Sequence, residues 1–158
     1  MAADPLADIA QRLQIAFAAV ADGPMRGLPL NHPGLRVEAL GLEVWPGEPE
    51  FALGVLVTPW AMNLLRVALR AQAPLLPVGA KGLHILGARE LEFIGAELAA
   101  FGRFEMCSLF SPMLEFADQD AALATAREVL KLLRVASALQ PAPVPARRRC
   151  SGCRRRTA

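Results

Sequence analysis

Arg103–Phe116, RFEMCSLFSPMLEF, runs as alternating apolar residues up to Phe110 and then meets a Ser-Pro step. Period-two alternation marks a half-buried strand, and Pro112, which has no N–H to donate, ends its ladder pairing. Val57–Asn63 (VTPWAMN) has the same grammar: the end of an apolar strand, a hydroxyl, a proline, then large side chains. The two corners place Trp60, Met62, Phe110, Met113 and Phe116 at strand ends. There they form either lids over a core or an apolar groove, since methionine repacks around irregular ligands and tryptophan anchors interfaces. In the groove reading one partner-binding site comprises Thr58, Pro59, Trp60, Met62, Asn63, Cys107, Ser108, Phe110, Ser111, Pro112 and Met113. Its few polar groups would orient a bound peptide.

Outward from these corners the chain reads helix, several strands, helix. Asp4-Pro5 is a helix start, a capping carboxylate followed by a proline at the first helical position. Leu6, Ile9, Leu13, Phe17 and Val20 then form one apolar stripe ending near Asp22-Gly23-Pro24. Met25–Gly34 is a loop in which His32 is expected to make a closing hydrogen bond. Leu35–Trp45 alternates with a phase switch at Ala39-Leu40 that predicts a bulge. Pro46–Pro49 is a turn, and Phe51–Thr58 is a central strand. Ala61–Gln72 is expected to hold a helical turn and then a strand. Gly82–Leu86 and Arg89–Ala96 pair around Gly87, and Arg103–Phe110 is the last strand. Asp118 caps a second helix whose apolar positions are Leu123, Ala126, Leu130 and Leu133. The sum is an α+β domain over 1–138, an antiparallel sheet of about five or six strands flanked by an N-terminal and a C-terminal helix. Both helices are expected on one sheet face, and a disordered Pro/Arg-rich tail follows at 139–158.

With 158 residues, 54% of them hydrophobic, one core is within reach. No apolar run approaches the roughly 18–20 residues of a membrane span. The acidic start MAADPLADIAQRL does not resemble an export leader, so a cytoplasmic address is expected. Six of the seventeen bases fall in the last twelve positions, leaving eleven bases against fifteen acids in the body. The pI of about 8.7 thus belongs to the tail, and nucleic acid is not expected as a partner. Cys107 sits among apolar neighbours with only His32 and His84 as candidate bases, which favours a buried thiol over a nucleophile or redox sensor. Cys150-Ser-Gly-Cys153 has the spacing of half a zinc site, and no second pair accompanies it. A zinc or nucleic-acid adaptor acting through this tail is the remaining alternative. HExxH, GxSxG and phosphate-loop patterns are absent, so no enzyme activity, catalytic residue, metal or cofactor is expected.

Three blocks, HPGLRVEALGLEVW (32–45), GVLVTPWAMNL (54–64) and CSLFSPMLEFADQDAA (107–122), resemble the HybE family of nickel-iron hydrogenase assembly chaperones, the HupJ and HoxT type. The likeness spans about residues 6 to 135, with the basic CxxC tail outside it. It implies a cytoplasmic, cofactor-free maturation factor. The implied client is the hydrogenase small-subunit precursor with its twin-arginine leader, and other hydrogenase accessory proteins are further candidate partners. An acidic body with an apolar groove suits a leader made of a basic region and an apolar segment.

Overall fold

Asp4 accepts the Leu6 N–H at 3.0 Å and starts helix α1 (Pro5–Asp22), as the Asp-Pro pair predicts. The computed structural model describes residues 4–86 and 89–139. After α1 come β1 (Glu38–Trp45), β2 (Glu48–Val57), β3 (Met62–Ala68), β4 (Lys81–Leu86), β5 (Arg89–Leu98), β6 (Gly102–Phe110) and helix α2 (Gln119–Leu139). The six strands form one antiparallel sheet in the order β1-β2-β3-β6-β5-β4. β3 pairs with β6 because the long connection through the β4–β5 hairpin returns the chain to the middle of the sheet.

The helices lie on opposite faces, which corrects the expectation of a shared face. Odd-numbered residues of β2, Leu53, Val55 and Val57, pack with Leu64, Cys107, Phe93 and the α2 residues Ala122, Leu123, Ala126, Leu130 and Leu133. Even-numbered Ala52 and Leu56 pack with Leu65, Phe104 and the α1 residues Leu13 and Phe17. A central strand apolar on both faces needs cover on both, so two amphipathic helices at the chain ends serve one face each. The same double burial explains Met62–Ala68. Its apolar run satisfies helix and strand periodicities alike, and it is strand from Met62 onward, with no helical turn.

Smaller differences sit at turns. The β1–β2 connection is the two-residue turn Pro46-Gly47, with Gly47 at φ +86°, so Pro49 lies inside β2. The β1 register shifts between Leu40 and Glu43, just past the predicted bulge. β5 runs on to Leu98.

On the α2 side a second cover reaches the far strands. The loop 74–80 lies across β5 so closely that a Cβ on Gly95 would stand 2.2 Å from the Pro77 carbonyl oxygen. Beneath it Glu105, 1% exposed, accepts from Arg66 Nη1 at 2.9 Å and His84 Nε2 at 2.8 Å, and its other oxygen accepts the Leu76 N–H at 2.7 Å. Arg66 also reaches Glu48 and stacks over the Phe51 ring, 3.6 Å from its centroid. A buried ion pair is tolerated only when its remaining hydrogen-bonding groups are met, and here three donors converge on one carboxylate.

Candidate functional site

The two proline corners come to the same end of the sheet. β3 leaves the first and β6 enters the second, and Met62 pairs with Phe110 across them. The first corner is a clipped turn: Thr58 N–H donates to the Ala61 carbonyl at 2.9 Å, Thr58 Oγ1 donates to the same oxygen, and the Ala61 N–H returns to Oγ1 at 3.0 Å. With Thr58 fully buried, its hydroxyl is spent on the turn. At the second corner the Ser111-Pro112 peptide is cis and Phe110 stacks edge-on against Phe116 at 5.3 Å.

His32 ties both corners together. Its backbone N–H donates to the Pro59 carbonyl at 2.8 Å, its Nδ1 accepts the Gly34 N–H at 2.9 Å, and its Nε2 lies 2.6 Å from the Phe116 carbonyl. An Nδ1 that accepts and an Nε2 that faces a carbonyl define the neutral tautomer with the proton on Nε2. The expected loop-closing bond is there, and it also joins segments 84 residues apart.

The structure divides the eleven sequence-predicted site residues into two sets. Thr58, Met62, Asn63, Cys107 and Met113 are buried, and Met62, Cys107 and Met113 belong to the α2-side core. Pro59 and Trp60 are half-buried, while Ser108, Phe110, Ser111 and Pro112 are exposed. Strand alternation places Asn63 and Ser108 on the α1 face, whereas the register shift between Met62 and Asn63 sets Phe110 opposite Met62, on the α2 side, against Phe116. The α1 face is covered by α1 over β1 and the central strands, and at one end over Phe104 of β6 with Ala96 and Leu98 of β5, but not over β4 or the neighbouring ends of β5 and β6. Its open part carries Ser108, then Glu92 and Glu90 on β5, then Leu83 and Ile85 on the edge strand β4, 59% and 68% exposed. Leu83, Ile85, Glu90 and Glu92 were missed at the sequence level. Their alternation was visible, but which face lacks a cover depends on where the helices pack.

Cys107 is a poor nucleophile here. Burial, with a smaller contribution from the Glu92 carboxylate, pushes its thiol above the ordinary value of 9.0, the direction opposite to an activated thiolate. His32 and His84 are both engaged elsewhere. Among the described residues no three His, Cys, Asp or Glu side chains cluster as a metal site, and no helix is long and apolar enough to cross a membrane. Cys150, Cys153 and the arginine-rich tail lie outside the described residues.

Comparison with known proteins points one way. The family described as "[NiFe]-hydrogenase assembly, chaperone, HybE" matches residues 8–156, further than the span of 6 to 135 inferred from motifs and across the basic tail that the motifs left out. The chain is 42% identical to Protein HoxT of Cupriavidus necator over 147 residues, 87% of this chain and 80% of that one. It is 40% identical to the hydrogenase expression/formation protein HupJ of Bradyrhizobium diazoefficiens, over 73% of this chain and 65% of HupJ. The solution structure of HybE from Escherichia coli shares the fold, with a TM-score of 0.64 at 22% identity over 84% of this chain and 78% of that one.

Proposed function

The chain belongs to the HybE family of nickel-iron hydrogenase assembly chaperones, and from that premise we propose that it binds the precursor of the hydrogenase small subunit in the cytoplasm, before assembly and export. The observation that carries this reading is the open part of the α1 face. Leu83 and Ile85 offer apolar area beside Glu90 and Glu92, and the proline corners border it through Trp60, Phe110 and Ser111-Pro112. A leader with a basic region and an apolar segment matches that surface in both charge and hydropathy. Of the predicted site residues, Pro59, Trp60, Ser108, Phe110, Ser111 and Pro112 make the contacts. Thr58, Met62, Asn63, Cys107 and Met113 hold the corners in place.

Capture of small-subunit precursor by the immobilised chain, with and without the leader, is the test. The leader-bearing form is expected to be retained and the leaderless form to bind more weakly. Retention of neither form would remove the proposal.

A further inference from the structure

The last turn of α1, the segment 31–37 and Pro59 enclose an open cleft of about 440 Å³ beside the first corner. Its wall is apolar, formed by Ala18, Val37 and Pro59, and its polar groups are Asp22, Asn31, His32 and Arg36. Asp22 is the last residue of α1, and no basic residue occupies that turn. A carboxylate at the negative end of a helix dipole is a like-sign juxtaposition that a cation relieves. Asp22 has no cation partner among the described residues, whereas Arg36 is held by Glu38 at 3.3 Å. Independently, the Asn31 side-chain oxygen is enclosed and has no donor, while its amide nitrogen is committed to the Met25 carbonyl at 2.6 Å. The amide therefore cannot flip to satisfy the oxygen without losing that bond. His32 is fully engaged.

We propose that this cleft seats the guanidinium of an arginine side chain from the bound client, an inference that rests on the chaperone reading above. An unpaired carboxylate and an unpaired amide oxygen on an apolar wall suit a planar, weakly hydrated, multi-donor cation better than a compact ammonium. Pro59 borders the cleft and Trp60 follows it, so the arginine lies beside the groove. The edge strand β4 is three to four strand spacings away, roughly 15–19 Å. A client segment with its basic part in the cleft and its apolar part over Leu83 and Ile85 spans that distance.

The test is an NMR titration of the full chain with N-acetyl-arginine amide, with N-acetyl-citrulline amide as the isosteric neutral control. Arginine is expected to move the Asn31 side-chain amide and the backbone signals of Asp22, His32 and Val37. Citrulline is expected not to, and Asp22→Asn is expected to weaken the response at least about fivefold. Equal responses to both probes, or arginine shifts confined to Glu90 and Glu92, overturn the assignment. Asp22→Asn is also expected to raise Tm slightly, by removing the like-sign charge from the helix end, while weakening precursor capture about fivefold or more. Weaker capture in a protein that is no less stable separates binding from folding. Unchanged capture by Asp22→Asn, with capture lost on Phe110→Ala, overturns the cleft and leaves the chaperone reading standing. An arginine-specific response at Asn31 with no precursor captured supports the seat and overturns the client reading. If replacing the six tail arginines by glutamine shifts the same Asn31 signals in the free protein, the occupant is the chain's own tail and the client assignment falls.

Discussion

The two faces of the sheet are built from the same strands and finished differently. Under α2 the cover extends from edge to edge: the helix packs over β1 and β2 and reaches β4, and the loop 74–80 crosses β5 close enough to exclude a side chain at position 95. A charged pair, Arg66–Glu105, is sealed beneath. Under α1 the cover falls short of β4, and nothing among the described residues replaces that loop over Leu83 and Ile85. Residues one position apart therefore have different jobs. Cys107 is core and Ser108 is surface; Leu86 is core and Ile85 is surface. The face left open is where, in the proposed function, a partner replaces the missing layer.

The sharpest way to break this contrast is at the sealed charge. Arg66→Ala leaves Glu105 buried without its cation and is expected to cost about 3–5 kcal/mol, read by urea denaturation; a loss below 1 kcal/mol would mean that water reaches the carboxylate. Next in size, Leu53→Ala on the α2 face is expected to cost about 2–5 kcal/mol. Ile85→Ala on the open face should change stability by no more than about 0.5 kcal/mol. Equal losses would show that the open face is covered in the free protein. Trp60→Ala and Phe110→Ala are each expected to weaken precursor binding by about 2 kcal/mol, measured by calorimetry on variants whose unfolding midpoints are unchanged. If Trp60→Ala unfolds the chain, that ring is core and the site reduces to Phe110 and β4.

The smallest effect concerns the thiol. The folded-state pKa of Cys107 is raised, so as pH climbs past its ordinary value of 9.0 the unfolded chain loses the proton first. Folding then retains more protons than unfolding, and stability falls by at most about 1.4 kcal/mol per pH unit until the folded pKa is passed. Below that window the group contributes no slope. Cys107→Ala should remove this alkaline component. A variant whose stability falls as steeply as that of the native protein would place the thiol in solvent.

Local chemistry was enough for much of this protein. Asp4-Pro5 and Asp118 read correctly as helix starts because a capping carboxylate acts within three residues. The strand from Arg103 to Phe110 and its proline end were legible because Pro112 cannot donate to a ladder. That His32 closes a loop was also legible. Its second bond, to the Phe116 carbonyl, was not, because nothing local brings position 116 near position 32.

What tertiary structure alone decided was occupancy. Alternation along a strand says that two faces differ but not which of them a helix will cover, and a sequence apolar on both faces leaves β3 open to a helical reading. The packing of α1 and α2 on opposite sides settled both. It turned Met62, Cys107 and Met113 inward, freed Ser108 and Phe110, and exposed Leu83 and Ile85 beside Glu90 and Glu92. Secondary structure is written in neighbours a few residues apart, whereas an uncovered surface is defined by what fails to pack against it, and that is a property of the whole fold.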